Sequence, residues 1–358
     1  MFDEIVEIAR DQKVDAVLVS GDLFDRALPP LDAISLVVDT LIRLADAGGQ
    51  VVAICGNHDS AELLRILGRL LEGRNIQIGA NILRPEDGGV VNLASRDGKE
   101  SASIGLLPFL QESVVVDFMQ DRGEWFGDYS DRIRRLGHAL AAAFDPGGIG
   151  ILMAHYFVEG AELGGGERKI HMGEQYAATA QAIPPGPAYV ALGHIHRPQL
   201  VPGAAVTARY SGSLLQLDFS ERTHNKEVVV IDAKAGVPAK VKSLQLRSGR
   251  KLIRVEDEIE SLRGRADEFG DAFLDVRVKT SGPVFGLSEE VRKFLPNAVM
   301  VQPVYDRVEG KEKAEGRADA AMADVYAEYH EIAHGVPAPA DLLAAMRSIE
   351  EEVLSAAP

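Results

Sequence analysis

Asp22, Asn57, His58, Asp59, His155, His194 and His196 are the residues of this chain whose types and spacing could do chemistry. They fall in four short blocks: Gly21-Asp22, Gly56-Asn57-His58-Asp59, the single His155, and Gly193-His194-Ile195-His196. Carboxylate, amide and imidazole groups are oxygen and nitrogen donors that suit Mn²⁺, Fe²⁺ or Zn²⁺, and the lack of clustered cysteines argues against a thiolate zinc site. Any one of these residues alone reads as a polar core or loop residue. Together, in this order, they have the layout of a two-metal phosphoesterase centre, where a cation pair stabilises the attacking and leaving oxygens. The glycines let the backbone turn tightly and come close to a metal without a Cβ clash.

Positioning such residues falls to the apolar runs before them. Residues 16–19, 51–54, 151–154 and 189–192 read as buried strands, so the ligands collect at strand C-termini, where α/β sheets bind ligands. Phe2, Ile5, Val6 and Ala9 predict an opening helix, and residues 31–47 a second one stopped by Gly48-Gly49. Ser60 can N-cap a third, which carries Leu63, Leu64, Leu67 and Leu71. This alternation implies parallel pairing. Residues 90–93 and 102–106 flank Asp97-Gly98, a hairpin signal that brings in antiparallel strands. A helix at 131–144, a Gly-rich surface loop at 160–173 and strands near 206–210, 226–231 and 240–246 complete a first domain, residues 1–248. Residues 249–305 read as a small α+β domain, and 306–358 as a helical segment. The last helix carries an apolar stripe of Leu342, Leu343, Met346, Ile349 and Val353.

With 358 residues and 46% hydrophobic content the chain can bury a full core. No apolar run reaches the ~18 residues of a membrane span, and the first ten residues alternate acid and apolar types instead of forming a signal core. The single Cys55 excludes an internal disulfide, fits a reducing cytoplasm and reads as a small buried residue. A formal charge of −16 argues against a surface that coats nucleic acid. It leaves a nuclease open, because bound cations invert the field at a carboxylate-rich site.

The strings Val17-Leu18-Val19-Ser20-Gly21-Asp22-Leu23-Phe24-Asp25 and Gly193-His194-Ile195-His196-Arg197-Pro198-Gln199 resemble those of the calcineurin-like metallophosphoesterases. Together with Tyr210-Ser211-Gly212-Ser213-Leu214-Leu215-Gln216-Leu217-Asp218-Phe219-Ser220-Glu221 they are similar to the SbcD family of nuclease subunits, and the likeness covers nearly the whole chain. The resemblance implies an α/β fold of four α/β/β/α layers with mixed sheets, a small α+β capping domain and C-terminal helices that could dock on an ATPase partner. By position it implies that Asp22 bridges two divalent metal ions, of which Mn²⁺ is the expected kind. Asn57, His155 and His194 would complete one site, His196 would serve the other, and His58 would face the scissile phosphate as the catalytic residue. Asp59 would orient His58 or its loop. An SbcC-like ATPase, a homodimer within a larger complex, and DNA ends, hairpins and single strands are the implied partners. The implied activities are 3′-to-5′ exonuclease and single-strand endonuclease, and the implied location cytoplasmic. A generic phosphoesterase for small esters and a non-catalytic scaffold are the alternative readings.

Other residues carry less. Arg168 and His171, in the Gly-rich loop, could touch a DNA backbone but read first as solvated; Trp125 and Tyr129 read as packing; His138, His224, His330 and His334 have no ligand context. One block departs from the family. An opening strand ending in Asp-x-His is expected, none occurs in the chain, and the site that His196 serves keeps only Asp22 beside it. A late start or a truncated fragment, impaired as written, is the expectation, ahead of natural loss.

Overall fold

The structure, a computed structural model, describes residues 1–47, 49–111, 129–167, 176–282, 284–305, 321–334 and 336–355. Helix α1 (Phe2–Asp11) leads into β1 (Ala16–Val19), α2 (Leu31–Asp46) into β2 (Gln50–Ile54), and α3 (Ala61–Leu70) into β3 (Ile76–Gly79). The three strands form one parallel sheet in the order β1-β2-β3. Val51, Val52, Ala53 and Ile54 are all 0% exposed, as an unbroken apolar run requires when a parallel strand is covered on both faces. Ser60 accepts the Leu63 N–H at 3.3 Å through its hydroxyl, which caps α3 and fixes where the chain leaves the site loop.

A second sheet takes in β4 (Val90–Ala94), β5 (Ser101–Leu107), β6 (Ile149–His155), β9 (Tyr189–Gly193), β10 (Gln199–Leu200) and β11 (Ala208–Tyr210), in the order β10-β11-β9-β6-β5-β4. It is mixed: β4 pairs antiparallel with β5, while β5, β6, β9 and β11 run parallel. The short pair β7 (Phe157–Val158) and β8 (Ala177–Ala178) lies outside it. Alternation along β6 builds two core layers. Ile151 and Met153 face Val52 and Ile54 of the first sheet. Leu152 and Ala154 face Ile133, Leu136 and Leu140 of α4 (Tyr129–Ala141). On the far side of the first sheet α1 and α2 cover Val51, and α3 covers Cys55. Helix, sheet, sheet, helix is the layering, with the hairpin β12 (Glu227–Lys234) and β13 (Val237–Gln245) adding Val229, Ile231 and Val241 to the middle layer.

Strands β14 (Leu252–Asp257), β15 (Phe273–Lys279) and β16 (Ala298–Val304) form a small parallel sheet with α5 (Ile259–Gly264) and α6 (Leu287–Phe294) in its crossovers and a core of its own. By contacts the chain divides after Val304. The second unit holds α7 (Met322–His334) and α8 (Ala340–Ser355), tied by Arg347 to Asp324 at 2.9 Å. In α8, Leu343 and Met346 are half-buried while Leu342 and Ile349 are exposed. Among the described residues no helix is long and apolar enough to cross a membrane.

Candidate metal centre

The C-terminal ends of β1, β2, β6 and β9 bring the four sequence blocks to one edge. Beyond β1 the backbone turns sharply, with Gly21 at φ +91° and Asp22 at +55°. That left-handed step folds the Asp22 carboxylate back toward the next loop, where its Oδ1 accepts the His58 backbone N–H at 2.9 Å. A Cβ on Gly56 would lie 2.1 Å from Asp22 Oδ1, and one on Gly193 would lie 1.8 Å from the Ser20 carbonyl oxygen. Glycine at these positions lets the loop after β2 close on the loop after β1, and the end of β9 close on the end of β1 across the two sheets. His194 also takes a positive φ, +93°, an uncommon conformation for a non-glycine residue and a form of backbone strain that tends to cluster at active sites.

Asn57 Oδ1 stands at the centre. His155 Nε2 lies 2.9 Å from it and His194 Nδ1 lies 2.8 Å from it, while Asp22 Oδ2 is 3.3 Å from the same His155 nitrogen. His155 Nδ1 is 2.7 Å from the Ser20 carbonyl oxygen. A carbonyl only accepts, so Nδ1 carries the hydrogen and the Nε2 lone pair faces two oxygens that are acceptors as well. Converging lone pairs of this kind favour a cation among them, either a proton or a metal ion. Without a metal the proton takes that role: burial opposes the charged form of His155, but the Asp22 carboxylate outweighs it and lifts His155 above its ordinary range. Burial likewise pushes Asp22 up, and the charge and hydrogen bond of His155 more than reverse this, holding it well below the usual carboxylate range. Asp22, His155 and His194 present ligand atoms all within 4.8 Å of one another. The donor set, two imidazoles, a carboxylate and an amide oxygen, fits a divalent cation of the Mn²⁺, Fe²⁺ or Zn²⁺ kind.

His196 stands apart from this triad. Its Nδ1 is 3.0 Å from Glu221 Oε1, and its backbone N–H donates to Glu167 Oε1 at 2.9 Å. His58 turns Nδ1 to the Asp25 carbonyl at 2.8 Å, which leaves Nε2 as its lone-pair nitrogen. Asp59 accepts three backbone N–H groups, from Leu23 at 3.2 Å, Phe24 at 2.9 Å and Gly56 at 2.9 Å, and so staples the loop after β1 to the loop after β2. Its carboxyl is pushed up, first by burial and then by the Asp22 charge, against the hydrogen bonds that lower it.

The family model for calcineurin-like phosphoesterases matches residues 1–198. The chain belongs to that family. Within it, the chain is 30% identical over 317 residues to the SbcD subunit of nuclease SbcCD from Bacillus subtilis (strain 168), covering 86% of this chain and 80% of that protein. The corresponding SbcCD protein of Escherichia coli (strain K12) is 27% identical over 315 residues, with 81% and 74% covered. That of Rhodobacter capsulatus is 32% identical over 245 residues, with 65% and 60% covered. This phosphoesterase is therefore a member of the SbcD branch.

In the phosphoesterase site several groups are not singled out by the sequence. Glu221 stands there only as the end of a family string, and Glu167 and Lys226 as loop and strand residues. Phe109, whose ring stacks on His194 at 6.0 Å and meets His155 edge-on at 6.2 Å, carries no sequence signal beyond the strand before it. Burial raises the Glu221 carboxyl, yet hydrogen bonds from His196 and Lys226 bring it down to about 2. Burial, with the Asp59 and Asp22 charges behind it, pushes the Cys55 thiol up to about 12. Tyr129 is buried in the core layer under β6 and meets Tyr176 edge-on. Arg168, His171 and Trp125 lie outside the described residues.

Proposed function

We propose that this chain is the nuclease subunit of an SbcCD-type complex, a metal-dependent phosphodiesterase that acts on DNA ends and hairpins beside an SbcC-like ATPase in the cytoplasm, as a homodimer. The observation that carries this is the meeting of His155, His194 and Asp22 around Asn57 Oδ1 at the shared edge of two sheets. Asp22, Asn57, His155 and His194 would hold one cation, and Asp22 with His196 would serve a second, with Mn²⁺ the ion expected. When bound, the cations supply Lewis-acid stabilisation of the phosphate oxygens and of the attacking and leaving oxygens.

The chain's own residues do the rest. His58, its Nδ1–H spent on the Asp25 carbonyl, offers Nε2 to the scissile phosphate. In its protonated form that nitrogen can give a proton to the leaving oxygen, a contribution typically worth ~10²–10⁴-fold in rate. Asp59 keeps His58 and Asp22 in register by tying their two loops together. Phe109 lies stacked against one face of His194.

The test incubates the protein and the ATPase with Mn²⁺ and an end-labelled DNA hairpin, beside bis-p-nitrophenyl phosphate. Label release that needs Mn²⁺, stops with EDTA and is lost in Asn57→Ala is expected. Hydrolysis of the small ester alone would remove the nuclease assignment.

A further inference from the structure

Outside the Asn57 cluster a densely hydrogen-bonded polar group surrounds His196. Glu221 is 0% exposed and Lys226 6%, and they pair at 2.8 Å. Each polar atom of the pair is engaged. Lys226 Nζ donates to Glu221 Oε2, to Ser213 Oγ at 2.7 Å and to the His196 carbonyl at 3.0 Å. Glu221 Oε2 also accepts the Leu217 N–H at 3.1 Å, which leaves Oε1 to His196 Nδ1. Glu167 accepts the N–H groups of Gly164 at 2.7 Å, Gly165 at 2.6 Å and His196 at 2.9 Å. The glycine run therefore lies against His196: a Cβ on Gly166 would stand 2.9 Å from His196 Nδ1 and 3.0 Å from Glu221 Oε1. His196 is thus held at its N–H, its carbonyl and its ring, and the carboxylate holding the ring is shut off from water.

A buried ion pair is costly to build and is weak evidence of stability, so its place beside a proposed ligand calls for another account. We propose that Glu221 is a positioning residue: by accepting the Nδ1–H of His196 it fixes the tautomer that presents the Nε2 lone pair to the second cation. Lys226, 2.8 Å from Oε2, holds the carboxylate in place. The inference rests on the reading of His196 as a ligand. It goes beyond that reading by naming the groups that prepare the nitrogen before any metal arrives. Carboxylate–histidine pairs of this kind orient metal ligands generally, and losing the carboxylate typically costs 10–100-fold in metal affinity.

Glu221→Gln gives a sharp test, because the amide must choose. Lys226 and Leu217 offer only hydrogen-bond donors to the Oε2 position, so the amide oxygen goes there and the NH₂ faces His196 Nδ1. The ring then has to carry its hydrogen on Nε2, the wrong nitrogen for a ligand. Two-bond ¹H–¹⁵N spectra of the full chain, histidine-labelled, metal-free and at pH 8, read the tautomer directly, with His196→Ala identifying the signal. The expected result is Nδ1–H in the wild type and Nε2–H in Glu221→Gln, with Mn²⁺ affinity at the site His196 serves falling about 10–100-fold in the variant. An Nε2–H tautomer in the wild type overturns the proposal without any variant, so a misfolded Glu221→Gln does not shield it. A folded Glu221→Gln that keeps the wild-type tautomer and Mn²⁺ affinity overturns it too. Unchanged Mn²⁺ affinity in His196→Ala would instead remove His196 from the ligand set, whatever its tautomer.

Discussion

His58 and Gly56 carry the two sharpest residue-scale predictions, because each touches Asp22 in a different way. His58 hydrogen-bonds Asp22 through its backbone N–H, and its ring is anchored on the Asp25 carbonyl. Removing the ring therefore leaves the carboxylate and the other ligands where they are. His58→Ala should lose ~10²–10⁴-fold in cleavage rate while Mn²⁺ affinity by calorimetry stays within a factor of about two; a parallel loss of metal would show that the ring is a ligand. Gly56→Ala reverses this pattern. Its Cβ would overlap Asp22 Oδ1 at 2.1 Å and the Asp22 backbone nitrogen at 2.3 Å, so turning the side chain alone does not relieve it. Metal binding should fall with activity there, and a variant that binds Mn²⁺ normally would show that the loop relaxes. Cys55 adds a chemical check. With its thiol pushed up to about 12 by burial and by the Asp59 and Asp22 charges, it should resist maleimide at pH 8 until the protein unfolds.

Among the elements, legibility followed the physics that acts along a short stretch of chain. The strands before each ligand block were readable because an apolar run buried on both faces has few other uses, and β2, β6 and β9 fall where those runs stand. The hairpin turn at Asp97-Gly98 and the Ser60 cap were readable because both are set by local hydrogen bonding, such as Ser60 Oγ to the Leu63 N–H. What stayed hidden depends on residues far apart in sequence. Phe109 on His194 and Glu221 on His196 are products of tertiary packing, and neither residue type announces its partner. The Asp59 staple is intermediate: its loop was legible, but the three N–H groups it gathers from two loops were not. Asp59→Ala should therefore loosen β1's loop against β2's. Faster amide exchange at Leu23, Phe24 and Gly56 is expected, because those donors lose their acceptor, while exchange in α1 stays as it was. Unaltered exchange at the three amides would mean that other contacts hold the loops together.

For the molecule as a whole the site matters because its proposed ligands come from both sheets. Asp22 and Asn57 follow strands of the three-stranded sheet, and His155 and His194 belong to the six-stranded one. A cation held by all four links the two layers that must separate on unfolding, so its binding energy adds to global stability. At 100 times its dissociation constant a ligand of the folded state adds about 2.7 kcal/mol. For domains of 150–250 residues each kcal/mol moves the melting temperature by about 2–4 °C, so Mn²⁺ should raise it by several degrees and EDTA should reverse the rise. The size of the rise should depend on pH in a definite direction. His155 is lifted above its ordinary value by the Asp22 charge, which outweighs its burial, so its proton stabilises the metal-free fold. That contribution is complete below the unfolded value and is lost as pH climbs through the raised folded one. Mn²⁺ competes with that proton for the same lone pairs. The melting shift should accordingly be small near pH 6 and large at pH 8, and should vanish at both in Asn57→Ala. Scanning calorimetry at the two pH values decides it: a shift of equal size at both would mean that the metal and the proton do not share the His155 site.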